Sequence, residues 1–275
     1  ASGWSGARGV DRGVIVNVWS PTETADYIRC PVYRRLTRAW KPRDQVWTPN
    51  KALGIAIGEG LSAYWNGDLT VVAETVMSLT MAREYEENEK WSLEALQHLA
   101  LKGYRAACTK AEITGVVLGV DQPTGRGRPD LVYRHPSLGL VVLDGKVRME
   151  GDTRYLPKYL SEYETDHQWW HYAWEAEQYY GEPVTQCEVL LTILTPRVRV
   201  ERHAWPVSPA RVGMWLQDTE RVWEQMDRED SYRPPTHRFS SCFTKYGRCA
   251  YFTFCHDCEG DEQRASALYE RVGNP

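Results

Sequence analysis

The run Leu140-Val141-Val142-Leu143-Asp144-Gly145-Lys146-Val147 constrains this chain more than any other segment. Its apolar residues are those of a buried β-strand, yet a carboxylate and an ammonium stand within it. Charges in such a strand need partners or a purpose. Upstream, Asp130-Leu131-Val132-Tyr133-Arg134 is also β-rich, and His135-Pro136-Ser137-Leu138-Gly139 between the two has turn chemistry. The segments therefore form a hairpin whose second strand is buried. The hairpin can bring Asp130 beside Asp144, while Asp144 and Lys146, two residues apart, share one face of the sheet. Carboxylates converging in this way make a hard oxygen site for Mg2+ or Mn2+. A nearby Lys can hold or help deprotonate an attacking water and counter charge building on a phosphate. An isolated D-x-K on a strand is most often a surface ion pair; the apolar strand around this one favours the functional reading.

The rest of the chain supplies the frame. Residues 13–19 read as a short strand, and Ser20-Pro21-Thr22-Glu23-Thr24 opens a helix that carries Tyr27 and Cys30. A second helix runs from about Ala52 to Trp65 and stops at the turn signal Asn66-Gly67-Asp68. Two more lie between Thr70 and Ala107, the second from about Ser92. Residues 112–120 are β-rich, and Asp121 to Arg128 is a polar loop. Glu162 to Tyr180 reads as one amphipathic helix, Cys187 to Leu194 and Arg197 to Ala204 as strands, and Pro209 to Met226 as a helix. That order predicts an α/β (α+β) fold with a central mixed sheet flanked by helices.

Two further groups carry chemistry. Gln168 and Tyr172 are spaced i, i+4 and share a helix face that can overlook the hairpin. In the aperiodic tail beyond Asp230, Cys242, Cys249 and Cys255 stand among aromatic residues, with Cys258 close behind. A bound metal would supply the folding energy this segment cannot obtain from a core. Only Cys255 and Cys258 have zinc-knuckle spacing; the wider gaps suit an iron–sulfur cluster, which takes four Cys, and Cys30 is the natural fourth. Cys108 and Cys187 sit in apolar segments and read as ordinary buried thiols.

Composition excludes little else. Seven cysteines cannot all pair within one chain. No apolar run is long enough to span a membrane, and Ala1 to Asp11 is polar, so the chain reads as cytoplasmic. The formal net charge of −4 argues mildly against non-specific nucleic-acid binding, but Arg29, Arg34, Arg35, Arg38, Lys41 and Arg43 form an acid-free basic stretch that can sit on phosphates or equally be a solvated helix face.

In their order along the chain these residues resemble the RecB-like branch of the PD-(D/E)-x-K nucleases, which includes AddB-type nuclease domains, CRISPR-associated four-cysteine exonucleases and phage-encoded relatives. The resemblance runs from about Ser20 to Cys258: Cys30-Pro31 on an early helix, Gly127-Arg128-Pro129-Asp130, Asp144-Gly145-Lys146, Gln168 to Tyr172, then the cysteine-rich tail. Where the family has a metal-binding His this chain has Gly58, followed by Glu59. The resemblance implies a restriction-endonuclease-like core filling one domain over residues 1–275, with a helical part at about 20–110, a catalytic core at about 111–205 and a cluster-binding tail at about 230–260. It implies Mg2+- or Mn2+-dependent hydrolysis of DNA, as an exonuclease acting on single strands or ends in recombination, repair or phage replication. Asp130 and Asp144 would be metal carboxylates, with Glu59 standing in for the absent His, and Lys146 would orient water. Gln168 and Tyr172 would position substrate, and Cys30, Cys242, Cys249 and Cys255 would hold a 4Fe-4S cluster. A helicase partner and an oligomer are both compatible with it. The rival readings are a catalytically inactive DNA-binding or assembly module, for which Gly58 speaks, and a zinc-stapled protein-interaction domain.

Overall fold

A computed structural model describes residues 18–42, 49–68, 70–84, 92–150, 155–195, 197–232, 242–244, 247–256 and 262–271. The chain enters through helices α1 (Pro21–Arg29) and α2 (Pro31–Ala39) and a short strand β1 (Trp40–Pro42). Helices α3 (Pro49–Trp65), α4 (Thr70–Glu84) and α5 (Leu93–Cys108) follow, then strands β2 (Val116–Val120), β3 (Leu131–His135) and β4 (Gly139–Glu150). Helices α6 (Leu156–Thr165) and α7 (His167–Tyr180) cross over to β5 (Val184–Thr195) and β6 (Arg199–Pro206), and α8 (Pro209–Tyr232) comes next. The tail holds β7 (Phe243–Thr244), β8 (Gly247–Arg248), α9 (Phe252–His256), α10 (Glu262–Ala265) and β9 (Tyr269–Arg271).

The central sheet has the order β2-β3-β4-β5-β6, and only β4 and β5 run parallel. A parallel pair needs a crossover, and α6 with α7 provides it. Side-chain alternation divides the core in two. Leu131, Tyr133, Val141 and Leu143 pack against α3, α4 and α5, whereas Val132, Leu140 and Val142 pack against α7 with Trp169 and Ala173. This is the α/β fold with a mixed sheet that the element order predicts. The short strands β1 and β9 pair antiparallel, so the beginning and end of the described chain are tied together.

Several expectations change on contact with the structure. The first helix does not carry Cys30: α1 ends at Arg29, and Cys30 is its extended C-cap, followed by Pro31 at the start of α2. Pro31 disfavours helical geometry in the residue before it. The start of α1 follows its sequence signal, since Ser20 and Glu23 form a reciprocal capping box. The single helix expected over 162–180 is two. Asp166 adopts an extended conformation and its carboxylate accepts from the Gln168 N–H, which starts α7 afresh. Residues 13–17 of the expected first strand lie outside the described residues, as does Cys258.

Part of the basic stretch is taken up in packing, while Arg43 and the side chains of Arg35 and Lys41 lie outside what is described. Arg34 is only 3% exposed, and its guanidinium lies 4.2 Å from the Trp19 ring centre. Arg38 approaches the same ring and pairs with Glu23, and Arg29 stacks on Tyr33 at 4.3 Å. These stems and planar heads serve packing between α1, α2 and the segment before them. Arg34→Glu is therefore expected to cost ~2 kcal/mol or more of stability by burying an acid against an indole. A thermal melt checks this; a variant that melts like the parent but binds DNA poorly would restore the phosphate role.

Candidate active site

Register sets the site. β3 and β4 pair Leu131 with Leu143 and His135 with Gly139, so one step further places Asp130 opposite Asp144. Asp144 lies inside β4 at 3% exposure, while Asp130 sits at the mouth of the hairpin with its Oδ2 accepting from the Gly145 N–H at 2.7 Å. Lys146 Nζ stands 2.5 Å from Asp144 Oδ2 and donates to Gln168 Oε1 at 3.3 Å. Gln168 Nε2 in turn donates to the Tyr172 hydroxyl at 2.6 Å. Asp144 and Lys146 of β4 and Gln168 and Tyr172 of α7 thus form one continuous polar chain.

The electrostatics follow from burial and like charge. Desolvation, then the neighbouring Asp144 carboxylate, hold the Asp130 carboxyl well above the usual range; the Gly145 N–H and Lys146 only partly oppose this. Burial works against charge on Lys146, but the Asp144 carboxylate beside it more than compensates and raises its pKa. A carboxyl that resists ionising beside another acid is what a bound cation relieves.

A cleft of about 250 Å3 opens on this hairpin, walled by Asp130, Gly145 and Lys146 on one side and by Gly58, Glu59 and Ser62 of α3 on the other. Gly58 faces open space, with no heavy atom within 4 Å of where a side chain would begin. Glu59 is exposed on the cleft wall. Four residues beyond Gly58, on the same helix face, the Ser62 hydroxyl donates to the carboxylate of Asp121. Asp121 also lines the cleft, and sequence reasoning missed it. It is the one non-glycine with positive φ (50°) among the described residues, and its N–H donates to the Asp130 carbonyl at 2.9 Å. Asp is one of the few residues that adopts this conformation readily. An Asp before Gln-Pro looks like any turn residue, so only the contact with Ser62, 59 positions away, distinguishes it.

The cysteines meet elsewhere. Cys30, Cys242, Cys249 and Cys255 line one hollow together with Arg29, Tyr33, Tyr251 and Phe252. Backbone bonds hold the tail in this shape: the Cys249 N–H donates to the Cys242 carbonyl at 2.8 Å, and the Cys255 N–H to the Tyr251 carbonyl at 3.0 Å. Burial and then the neighbouring thiols push Cys255 up to about 11. Among the described residues, however, no group of three or more His, Cys, Asp or Glu is arranged to hold a metal ion. That holds for the cleft acids as it does for the four cysteines of the hollow. Cys187 is fully buried and its thiol is pushed up by desolvation, as for a plain core residue.

No helix among the described residues is long and apolar enough to cross a membrane. No curated protein matches the chain. Among solved structures it is similar to a protein called "Putative exonuclease" from Eubacterium rectale, with 13% sequence identity and a TM-score of 0.48, over 95% of this chain and 94% of that one. The family profile described as the PD-(D/E)XK nuclease superfamily matches residues 18–256, which takes in the hairpin, the polar chain on α7 and all four cysteines of the hollow. With a match of that extent, the chain belongs to the PD-(D/E)XK nuclease superfamily.

Proposed function

We propose that this nuclease is a divalent-metal-dependent deoxyribonuclease that degrades DNA from its ends. The observation that carries the reading is the hairpin, where Asp130 and Lys146 line an open cleft and Lys146 is ion-paired with the buried Asp144 behind it. The residues suit a hard cation: Asp130 stands close enough to Asp144 to feel its charge, and it resists ionising without a counter-charge. Mg2+ or Mn2+ held by Asp130 and Asp144 would offset the charge that builds on a phosphodiester during hydrolysis. Lys146, kept as an ammonium by Asp144, donates to a phosphate oxygen or holds the attacking water. Gln168 orients the Lys146 head, and Tyr172 orients Gln168. Glu59 and Asp121 are further acids on the cleft wall. Action on ends, beside a helicase or as an oligomer, in recombination, repair or phage replication, rests on the resemblance to cysteine-stapled exonucleases. Digestion of 5′- and 3′-labelled single-stranded and duplex DNA tests it: metal-dependent release of short labelled products is expected, and internal nicking of circles would turn the reading to an endonuclease.

The same proposal includes a 4Fe-4S cluster bound by Cys30, Cys242, Cys249 and Cys255. Its support is that four thiols from α1–α2, the β7–β8 hairpin and α9 line one hollow with an aromatic wall. A cluster carries one thiolate per iron, so its sulfurs stand further apart than around a single zinc ion, whose Zn–S bonds are about 2.3 Å. Bound there, it would pin the N-terminal helices to the tail. Protein purified without oxygen is expected to be brown, and Cys249→Ala to be bleached and poorly soluble. A colourless parent that contains zinc, or an equally coloured variant, would overturn the assignment.

A further inference from the structure

Helix α7 carries a buried acid, Glu175, that the mechanism above does not use. Glu175 follows Gln168 by seven residues and Tyr172 by three, so all three share the face turned to the hairpin. The residue is only 3% exposed, a position that costs several kcal/mol unless the charge is met. It is met from two directions. From its own helix, His171 Nε2 lies 3.1 Å from Oε1. From the loop that leads to Asp130, the Arg126 N–H donates to Oε1 at 2.6 Å and the Gly127 N–H donates to Oε2.

We propose that Glu175 is a positioning residue of the cleavage site: it clamps the Gly125–Gly127 loop and thereby sets where Asp130 stands in the hairpin. The inference rests on the reading of Asp130 as a metal carboxylate.

The loop is shaped around this carboxylate. A Cβ at Gly125 would come within 2.5 Å of Glu175 Oε1, and one at Gly127 within 2.5 Å of Oε2 and 2.9 Å of the Tyr172 ring. Gly-Arg-Gly is thus the sequence that lets backbone N–H groups reach the acid. From Gly127 the path to Asp130 is three residues long and stiff. Pro129 fixes one φ, the Thr124 N–H donates to the Gly127 carbonyl at 3.2 Å, and the Asp121 N–H closes the loop on the Asp130 carbonyl at 2.9 Å. A shift of Gly127 is therefore delivered to Asp130 rather than absorbed. The helix end of the clamp is equally fixed. His171 is fully buried, with the rings of Trp174, Trp215 and Trp223 at 6.1, 5.6 and 5.8 Å. Burial would raise the Glu175 pKa, but His171 and the two backbone N–H groups outweigh it, so the clamp remains an anion.

Mn2+ binding read by electron paramagnetic resonance, alongside cleavage rates against Mn2+ concentration, tests the proposal in the full chain. Glu175→Ala and Gly127→Ala are each expected to raise the Mn2+ dissociation constant and half-saturating concentration ~10-fold, the effect of losing an outer support of a metal ligand. The maximal rate at saturating Mn2+ should change much less. Because both variants break the same clamp, the double variant should show the same ~10-fold loss and not ~100-fold. Glu175→Gln, which keeps one acceptor oxygen, should recover part of the affinity. If Glu175→Ala fails to fold, Gly127→Ala decides alone, since it leaves the carboxylate in place. Wild-type Mn2+ affinity in either folded variant, or losses that multiply in the double variant, would overturn the positioning role while leaving the nuclease reading intact. A parent protein that neither binds Mn2+ nor cleaves DNA would remove that reading, and the clamp's purpose with it.

Discussion

Lys146→Ala is expected to lower DNA cleavage by ~10²–10⁴-fold at saturating metal, the range for loss of a positioned proton-holding group. The Nζ that would touch the reacting phosphate or water disappears, and Gln168 loses the partner that orients it. Stability should move as well. Asp144 is 3% exposed and has Lys146 as its ion-pair partner at 2.5 Å, so truncation leaves a buried carboxylate uncompensated. Breaking a fully buried pair costs ~3–5 kcal/mol; Lys146 keeps 27% of its side-chain exposure, so solvent screening brings the expected loss to ~2 kcal/mol. That loss should shrink when Mn2+ is added. Cleavage assays and thermal melts with and without Mn2+ check both halves. A variant with parental activity would remove Lys146 from the mechanism.

Asp130→Asn is expected to separate function from stability in the opposite sense. The folded Asp130 carboxyl holds its proton more tightly than an unfolded one, through desolvation and the Asp144 charge. Between the unfolded value near 3.8 and the raised folded value the native state binds more protons, so the metal-free protein loses stability as pH climbs through that window. Asparagine cannot ionise, yet it retains an oxygen for the Gly145 N–H. The variant should therefore melt a few degrees higher than the metal-free parent at neutral pH, the size of shift that ~1 kcal/mol produces. Cleavage should fall ~100-fold or more with the loss of a metal carboxylate. Equal melting temperatures would mean that Asp144 and Asp130 do not repel, and the site would need a different arrangement.

What the sequence reveals and what it hides follow from how local each signal is. The hairpin is legible because its apolar alternation, its turn and its charges lie within Asp130 to Val147. The capping box of α1 is legible for the same reason: both of its members lie within four residues. The break at Asp166 is not, because aromatic residues at helical spacing continue on both sides and one side-chain bond to Gln168 decides it. Arg34 reads as a phosphate ligand until the Trp19 ring is seen against it. Asp121 and Glu175 are hidden most deeply, since their defining partners lie 59 and 48 positions away. Pairing at that separation is a property of the folded sheet and its helices, with no period or composition to announce it. The meeting of Cys30 with three tail cysteines is equally long-range, but there the chemistry of a fourth ligand points to the partner before the fold does.

The most direct test of the central claim compares the parent and Asp130→Asn, both purified without oxygen, on end-labelled DNA in Mn2+ and in chelator. The account predicts that the parent cleaves in Mn2+ alone, that chelator abolishes cleavage, and that Asp130→Asn is at least ~100-fold slower while fully folded. Cleavage by the parent in chelator, or an Asp130→Asn variant as fast as the parent, would contradict it.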